Sequence, residues 1–329
     1  MKNALIIGIS GQDGAYLARL LLTRGYRVFG TSRSVELNDF ARLRDLGIFA
    51  NVTLFTLDAT VPEQVRQLLR DVEPHELYNL GGQTSVGRSF EEPVDAMQSI
   101  VVATAVILEE LRRWSRPCRF YSAGSSEAFG DIGAEAATEA TAFAPKSPYG
   151  VAKAAAYWQV ADYRQAYDLF AVTGILFNHE SRLRTAEFVV PKIIAAAHAI
   201  AHGATEELVL GDISVERDWG WAPEYVDAIW RMLQTDRPAD YVVATGHIMS
   251  LRDVADAAFD YFDLDWRKHV RTAPEMLRPN ELRHSLGNPQ RAAAELGWRA
   301  HTFGRDLVQT LAEGVAAVPA KSADAVRVR

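Results

Sequence analysis

A tyrosine and a lysine four residues apart, Tyr149 and Lys153, are the residue types of this chain best suited to proton chemistry. On a helix this spacing places the phenol and the ammonium on one face, one turn apart. A nearby cation favours a phenolate, so Lys153 is expected to lower the pKa of Tyr149 and let it act as a base. The pair also fits a surface tyrosine and lysine on an alanine-rich helix.

A glycine-spaced turn, Gly8, Gly11 and Gly14, lies between an apolar strand and a helix at the start of the chain. Glycines in such a turn let the backbone approach a pyrophosphate at the helix N-terminus. The spacing G-x-x-G-x-x-G is typical of short-chain dehydrogenase/reductase folds. The turn, with Gln12 and Asp13 inside it, is therefore predicted to bind a dinucleotide cofactor.

The residues after the second and third strands indicate which dinucleotide is bound. NAD sites usually place a carboxylate after the second strand, on the ribose 2′-hydroxyl, whereas this chain has Arg33. Because a guanidinium can bind a 2′-phosphate, the expected cofactor is NADP, although a solvated loop arginine would look the same. Asp58, followed by Ala59, is expected to accept from the adenine amino group; a residue that merely ends the strand would look the same.

Two further residues are expected beside the nicotinamide. Ser125 follows a strand, at the edge where sites open in doubly wound sheets, and would bond the same substrate oxygen as Tyr149. Glu127 favours an elimination: once a carbinol is oxidised, the proton on the adjacent carbon becomes acidic, and a carboxylate can remove it and help expel a beta-hydroxyl as water. The alternative is that Glu127 caps a helix or binds a backbone amide.

Short apolar runs alternate with helical patterns in the first half of the chain. Strands are predicted at 4–7, 26–29, 52–55, 76–79, 119–122 and 172–177, and helices at 16–24, 62–70, 94–114, 149–167 and 223–234. This alternation predicts an α/β fold, a Rossmann-type doubly wound parallel sheet with helices on both faces. A further strand at 240–244 is expected to return to the same sheet.

After Phe177 the segments become shorter and less regular, which indicates a smaller mixed α/β substrate-binding lobe built from the C-terminal half. The expected cofactor domain is 1–178 with about 223–248. The expected substrate lobe is 179–222 with about 249–316, followed by a tail over 317–329.

Composition limits the partners and the location. The chain has 329 residues, 48% of them hydrophobic and 23% charged, which is ordinary for a soluble globular protein. A net charge of −7 without a basic stripe argues against nucleic acid. No apolar run approaches the ~20 residues that span a bilayer, and the first strand is predicted already at residue 4, so no membrane partner and a cytoplasmic location are expected. With Cys118 as the only cysteine, no intrachain disulfide and no metal site are expected.

Several motifs together are far more selective than the tyrosine–lysine pair. They are Gly8–Leu17, Tyr78–Phe90, Gly124–Gly130, Ser147–Lys153, Leu176–Ser181, Glu216–Gly220 and Leu277–Glu281. On these residues the chain resembles the GDP-mannose 4,6-dehydratases, extended short-chain dehydrogenase/reductases that convert GDP-mannose to GDP-4-keto-6-deoxymannose. The resemblance runs from about residue 3 to about residue 300.

The resemblance implies that Ser125, Glu127, Tyr149 and Lys153 are the catalytic residues, with Ser125 where many members have threonine. It also implies that cofactor contacts include Leu80 and His179, in addition to Ala59 and the residues named above. The implied substrate contacts are Gln83 and Ser89 at the hexose, Asn178 at the substrate, Arg217 and Arg278 at the diphosphate, and Lys192 and Glu281 on the nucleotide side. Without the resemblance, Arg217 and Arg278 would fit ordinary surface salt bridges equally well.

Some positions depart from the family pattern. The stretch Arg182–Glu187 lacks the usual proline and Arg-Arg-Gly-Glu, Pro191 replaces a common arginine, and Ser34 and Ser85 replace a common arginine and histidine. These departures leave the identity of the sugar and the assembly contacts near residues 33–45 open.

The predicted reaction is redox-neutral: oxidation at C4 of GDP-mannose, loss of water across C5 and C6, and return of the hydride to C6. Two alternatives are a reductase of a GDP-4-keto-6-deoxy sugar and a 4,6-dehydratase of another nucleotide sugar, such as a GDP-heptose. A third, a nonenzymatic NADP-sensing module, is disfavoured because Tyr149 and Lys153 are both present.

The long apolar helices at 94–114 and 149–167 bear on the assembly. In this fold such helices usually pair with their copies in a second subunit, which predicts a homodimer, or a tetramer as the alternative. The sheet alone would cover the same apolar stripes equally well.

Overall fold

The computed structural model describes residues 1–277 and 279–317. Its strands are β1 (Asn3–Ile7), β2 (Arg27–Ser32), β3 (Val52–Thr56), β4 (Glu76–Asn79), β5 (Arg119–Ala123), β6 (Ala171–Leu176), β7 (Asn178–Glu180), β8 (Leu208–Leu210), β9 (Glu216–Trp221), β10 (Tyr241–Val243), β11 (Ile248–Ser250), β12 (Val270–Thr272) and β13 (His284–Ser285). Its α-helices are α1 (Gln12–Thr23), α2 (Ala41–Asp45), α3 (Pro62–Val72), α4 (Val86–Glu91), α5 (Pro93–Ala96), α6 (Ala103–Arg113), α7 (Pro148–Tyr167), α8 (Val189–Ala201), α9 (Ala222–Met232), α10 (Leu251–Tyr261), α11 (Gln290–Glu295) and α12 (Gly304–Ala316).

A seven-stranded sheet forms the centre, in the order β10-β6-β5-β4-β1-β2-β3, and every neighbouring pair is parallel. The apolar runs of the sequence explain this position, because β4 and β6 are buried along their whole length. Strands of this kind need cover on both faces. The predicted fold class is therefore confirmed, including the return of residues 241–243 to this sheet.

Helices cover both faces of the sheet. On one face, Leu17 and Leu21 of α1 share a core with Ile229 of α9. On the other, Leu68 of α3 packs in a core with Ile107 of α6 and with α7. This arrangement brings the carboxyl ends of β1, β4 and β5 to one edge, where ligands bind in doubly wound folds.

The C-terminal half adds smaller sheets and a core of its own. β9 pairs with β7, β11 and β13, and β8 pairs with β12. Apolar side chains of α8, α10 and α12, among them Ile193, Val254 and Leu311, pack together. The proposed division into two domains remains a prediction, and positions 318–329 of the predicted tail lie outside the described residues.

The predicted helix at 94–114 differs from the structure, which has α5, a π-helical stretch at Met97–Val102, and α6. The Ser99 hydroxyl donates to the Asp95 carbonyl at 2.6 Å, four residues earlier, and this competes with the regular helical ladder. The same hydroxyl accepts from the Gln83 N–H at 3.2 Å. The π-helical stretch thus attaches the loop after β4 to the helix that supports Tyr149, because Ile100 packs with Tyr149 in one core.

Within the described ranges, every helix is too short or too polar to cross a bilayer.

Candidate active site

The turn between β1 and α1 has a shape that only glycine permits. Gly8 has φ +85°, and a Cβ there would lie 2.9 Å from the Leu80 carbonyl oxygen; a Cβ on Gly14 would lie 2.4 Å from the Gly8 oxygen. Gly11 caps α1 without a side-chain hydrogen bond to the first helical turn. Because those N–H groups are not capped by a side chain and no Cβ fills the turn, the residues fit a dinucleotide pyrophosphate.

A chain of hydrogen bonds joins this turn to the segment around β7. The Ser181 hydroxyl donates to Gln12 Oε1 at 2.7 Å, and Gln12 Nε2 donates to Asp13 Oδ1 at 3.1 Å. Asp13 Oδ2 lies 2.9 Å from His179 Nε2, and His179 Nδ1 lies 2.7 Å from the Phe177 carbonyl oxygen. The structure therefore brings three predicted cofactor residues, Gln12, Asp13 and His179, into one network.

The Asp13–His179 contact is an ion pair supported by its surroundings. Burial alone would lower the pKa of His179, but the charge and hydrogen bond of Asp13 outweigh it and raise that pKa. Burial likewise opposes ionisation of Asp13, yet His179 holds the pKa of Asp13 below its usual value. The imidazole also stacks on the Tyr225 ring, with 4.6 Å between centroids.

The four predicted catalytic residues lie together at the carboxyl end of β5. Lys153 Nζ lies 5.7 Å from the centre of the Tyr149 ring and donates to the Ala123 carbonyl at 2.7 Å. The Ser125 hydroxyl lies near enough to the Tyr149 phenol to lower its pKa, and the charge of Glu127 raises it. Ser125, not Glu127, caps the short helix that follows, because its hydroxyl accepts from the Glu127 N–H at 3.3 Å.

The electrostatics of the tyrosine–lysine pair differ from the sequence expectation. Burial raises the pKa of Tyr149 to about 12; the Ser125 hydrogen bond lowers it in part, and the Glu127 charge raises it. Burial lowers the pKa of Lys153 to about 8. The expected lowering of the Tyr149 pKa by Lys153 is therefore not present in this arrangement, because desolvation of the phenol is the larger effect.

Ser89 has a different role from the predicted hexose contact. It is fully buried, its hydroxyl donates to the Val86 carbonyl at 2.7 Å, and it accepts from the Tyr149 N–H at 3.2 Å. A hydroxyl with one donor and one acceptor site already used, and with no accessible surface, cannot readily bind a sugar. Ser89 instead fixes the first turn of α7, which carries Tyr149.

The predicted adenosine-side residues lie where their strands end. Arg33 is exposed beside an open cavity of about 550 Å³ after β2, lined by Ser32, Arg33, Ser34, Leu37, Asn38 and Asp39. Asp58, which precedes Ala59 after β3, accepts from the Thr60 N–H and hydroxyl at 2.9 and 2.6 Å. These hydrogen bonds and the Arg33 charge lower the pKa of Asp58. The turn-residue alternative for Asp58 is thus present in the structure, and its contact with adenine stays a prediction.

Two of the predicted substrate residues, Arg217 and Glu281, form an ion pair. Arg217 Nη2 lies 2.8 Å from Glu281 Oε1, and Arg217 is buried in β9. A narrow cleft is lined by Val86, Glu127, Lys146, Ser147, Pro279, Asn280, Glu281 and Leu282, so Glu281 and the proposed catalytic carboxylate share one cleft. Arg278, the second predicted diphosphate ligand, lies outside the described residues.

Three other predicted substrate residues contact the backbone or belong to a strand. Lys192 Nζ donates to the Val209 carbonyl at 3.1 Å, and Gln83 Nε2 donates to the Ser85 carbonyl at 2.6 Å. Asn178 begins β7 and pairs with Trp219 of β9. Their contacts with a sugar nucleotide remain predictions.

A profile of the family described as GDP-mannose 4,6 dehydratase matches residues 5–311. The chain belongs to this family. A GDP-mannose 4,6-dehydratase of Sinorhizobium fredii is 40% identical over 93% of this chain and 94% of the relative. GDP-mannose 4,6 dehydratase 1 of Arabidopsis thaliana is 38% identical over 95% of this chain and 89% of its own length. The Homo sapiens protein is 36% identical over 94% of this chain and 90% of its own length.

Solved structures show the same fold at lower identity to this GDP-mannose 4,6-dehydratase family member. A UDP-glucose 4-epimerase from Thermus thermophilus, in complex with NAD, has a TM-score of 0.84 at 24% identity and covers 96% of this chain and 100% of its own. DesIV, a dTDP-glucose 4,6-dehydratase from Streptomyces venezuelae with NAD and TYD bound, has a TM-score of 0.85 at 20% identity and covers 95% and 97% of the two chains.

Sequence reasoning missed two residues of this family member that lie beside the cofactor turn. Arg184 lies close enough for its charge to act on Asp13, His179 and Tyr149. Glu180, next to His179 in the chain, is buried 3.6 Å from Arg184. The sequence signal is partly present, since Glu180 belongs to the Leu176–Ser181 motif and Arg184 to the departing 182–187 stretch, but neither pattern assigns these two residues a role.

Proposed function

We propose that this chain catalyses the 4,6-dehydration of GDP-mannose to GDP-4-keto-6-deoxymannose with NADP. The observation that carries the proposal is the position of Glu127, whose charge reaches the phenol of Tyr149. One carboxylate beside a tyrosine–serine–lysine group provides a second proton-transfer site on the same sugar. Membership of the dehydratase family supports the same reaction.

Each residue of the site then has a task. Tyr149 takes the proton of the C4 hydroxyl, and Ser125 hydrogen-bonds the same substrate oxygen. Lys153 lies on the same face of α7 as Tyr149, with its Nζ 5.7 Å from the centre of the phenol ring. When bound, the nicotinamide would supply, in its oxidised form, the acceptor for the C4 hydride and a positive charge that favours the Tyr149 phenolate, and, in its reduced form, the donor that returns the hydride to C6. Glu127 removes the C5 proton, which the new C4 ketone has made acidic, and delivers a proton to the departing C6 hydroxyl. C5 regains a proton as the hydride returns to C6, which balances the proton that Tyr149 took from the C4 hydroxyl.

The preference for NADP is supported by Arg33. Its guanidinium stands at the end of β2 beside the open cavity, where a carboxylate would select the unphosphorylated ribose. A guanidinium binds a phosphate with two parallel hydrogen bonds and does not bind a hydroxyl as strongly. The solved relatives with NAD bound support a nicotinamide dinucleotide at this turn.

The diphosphate end of the substrate is assigned to Arg217, with Glu281 as its ion-pair partner and as a contact for the ribose or base. A buried guanidinium held by a carboxylate is oriented before the substrate arrives, which reduces the ordering that binding requires. Lys192 and Asn178 complete this side in the proposal, and Gln83 faces the hexose.

The proposed assembly is a homodimer through α7 and the helical run 93–113. Val94 and Trp158 are 66% and 61% exposed, and Val151, seven residues before Trp158, lies on the same side of α7. Apolar side chains of this size on neighbouring helices form a surface suited to a second copy. The proposed location is the cytoplasm, in keeping with the single cysteine.

The direct test incubates the purified chain with GDP-mannose and measures the mass of the product, with UDP- and dTDP-sugars as controls. Loss of one water without net consumption of NADPH is expected with GDP-mannose. Stoichiometric consumption of NADPH, or no reaction with any GDP-sugar, would contradict the proposal. Conversion of a GDP-heptose in place of GDP-mannose would favour the alternative function, a 4,6-dehydratase of another nucleotide sugar.

Glu127→Gln separates the dehydratase from the reductase alternative. The variant should still oxidise C4 and then stop, so that reduced cofactor accumulates in the near-ultraviolet absorbance, with turnover about 10²–10⁴-fold lower. Glu206→Gln, at an exposed position before β8, is the matched control and should keep full activity. A variant that dehydrates at the normal rate would remove Glu127 from the mechanism.

A further inference from the structure

Glu180 is a buried acid that the proposed reaction does not use. It ends β7, pairs with Trp221 of β9, and is 3% exposed. Its Oε2 atom is buried without a hydrogen-bond partner in the described residues. A buried carboxylate that lacks a hydrogen-bond partner on one oxygen is destabilising, which indicates that Glu180 serves a neighbouring group.

The nearest cation to this carboxyl is Arg184. Arg184 Nε lies 3.6 Å from Glu180 Oε2, and this Nε is also buried without a hydrogen-bond partner in the described residues. The guanidinium carbon lies 3.5 Å from the centre of the Phe188 ring, which fixes one flat face. Glu180 therefore faces the Nε edge of a guanidinium whose plane is already set.

Arg184 itself lies within electrostatic range of both the helix that follows the glycine turn and Tyr149. Its charge lowers the pKa of Asp13, of His179 and of Tyr149. Arg42, whose pKa is lowered first by burial and then by Arg184, donates to the Ser10 and Leu183 carbonyls at 2.9 and 2.7 Å. Two guanidinium groups thus lie near the turn that is suited to a pyrophosphate, and an anion there would meet Arg184.

We propose that Glu180 is a positioning residue that holds the Nε edge of Arg184, so that the guanidinium's other nitrogens are directed to the anionic part of the dinucleotide cofactor. This inference rests on the proposed function only in requiring that the chain bind a dinucleotide. A carboxylate behind an arginine reduces the rotamer freedom that the arginine loses when it binds an anion. The expected bound state has this contact at hydrogen-bond distance, shorter than the 3.6 Å of the present structure.

The protonation state of Glu180 makes the inference testable. Burial raises the pKa of Glu180 to about 7, while the charges of Arg184 and His179 lower it and that of Asp13 raises it. The charges that act on the carboxyl are thus Arg184 in the following turn, His179 in β7 and Asp13 in α1. The residue paired with Glu180 on β9 is the uncharged Trp221. Protonated Glu180 resembles glutamine, so wild type and Glu180→Gln should differ only at the higher pH.

The experiment measures the Kd for NADP⁺ by calorimetry with the full chain at about pH 6 and about pH 8, without sugar. At the higher pH, Glu180→Gln should weaken binding about three- to tenfold, the range of one ordinary hydrogen bond, because Glu180 acts through Arg184; at the lower pH its Kd should approach that of wild type. Taking the ratio of the two Kd values removes the part of the Asp13 and His179 titration that both proteins share. Glu110→Gln is the matched control, because Glu110 is also buried beside an arginine, Arg66, but on α6.

Arg184→Lys provides a second route that leaves the buried carboxyl intact. Lysine keeps the charge but has neither an Nε edge for Glu180 nor the planar set of donors for the cofactor, so its Kd should exceed that of wild type at both pH values. Adding Glu180→Gln to this variant should cause no further weakening.

A Kd ratio independent of pH, a tighter Glu180→Gln variant, or equal effects in the two backgrounds would overturn the inference and leave the proposed function standing. Failure of the wild-type chain to bind either NADP⁺ or NAD⁺ would overturn both.

Discussion

Asp13 and His179, 166 positions apart in the chain, meet with 2.9 Å between Oδ2 and Nε2. The contact joins the helix that starts at the glycine turn to the segment that leaves the central sheet after β6. Each partner shifts the other toward its charged form, so the pair is most stable when both are ionised.

The pair predicts a pH-dependent contribution to stability. Because the His179 pKa is raised on folding, its contribution is complete below the unfolded value of about 6.5 and is lost as the pH rises through the folded pKa. Because the Asp13 pKa is lowered, its contribution is present above about 3.9 and is lost as the pH falls through the folded pKa. His179→Asn should therefore cost about 1–3 kcal/mol near pH 5–6 and less above pH 8.

Urea unfolding of wild type and variant across this pH range measures the difference. His301→Asn, at an exposed position before α12, is the control and should change stability little at any pH. A cost of His179→Asn that grows steadily with pH would show that the imidazole is not charged at low pH.

Removal of the Tyr149 hydroxyl tests the proton acceptor. Tyr149→Phe should reduce turnover about 10²–10⁴-fold and leave the Kd for the cofactor nearly unchanged, because the ring remains packed in its core. Tyr167→Phe, at the exposed end of the same helix, should keep activity. The turnover of the two variants and of wild type is compared by measuring the dehydrated product by mass. An active Tyr149→Phe enzyme would exclude the phenol as the essential base.

The cofactor turn has no room for a side chain at Gly14. Gly14→Ala would place a Cβ 2.4 Å from the Gly8 oxygen and 2.7 Å from the Ile9 Cα, so the turn must widen. We expect a loss of about 1–3 kcal/mol in unfolding free energy together with loss of dinucleotide binding. Gly314→Ala in α12 is the same exchange where the nearest atom is 3.6 Å away, and it should be neutral or slightly stabilising.

Arg33 should determine the choice between the two nicotinamide cofactors. Arg33→Ala should reduce the preference for NADP⁺ over NAD⁺, measured as a ratio of Kd values, by about 10–100-fold, the worth of charge-assisted hydrogen bonds to a phosphate. Arg27→Ala, at the opposite end of β2, should leave the ratio as it is. A ratio near one in the wild type would mean that the chain does not select NADP.

An acidic side chain on α7 tests the proposed dimer. Trp158→Asp places a charge in the exposed apolar surface and should shift the species seen by sedimentation from dimer to monomer. Tyr261→Asp, which changes an exposed aromatic residue on α10, should leave the dimer intact. Dimeric Trp158→Asp protein would place the subunit contact elsewhere.

Continuous apolar runs made the central sheet predictable, because such runs are typical of parallel strands that are covered on both faces. Leu5 and Val172 are examples of their fully buried residues. The glycine turn was predictable because its requirement is local. Periodicity could not reveal the π-helical stretch at 97–102, since the apolar pattern there is that of an ordinary helix and the Ser99 hydroxyl bond to the Asp95 carbonyl is not visible in it.

The side-chain partners of the site could not be predicted in the same way. The burial of Ser89 under α7 and the approach of Glu180 to Arg184 depend on how separate segments pack, which spacing along one segment does not encode. The pKa of Tyr149 was predicted in the wrong direction because the sequence shows the neighbouring cation but not the desolvation of the ring.

The bonds from Gln12 to Ser181 and from Asp13 to His179 have a consequence for biosynthesis. More than half of the polypeptide must leave the ribosome before the amino-terminal turn has all its partners. Until then its first helix remains unanchored at one end, so a nascent chain arrested before that point should be readily digested at its start by a protease.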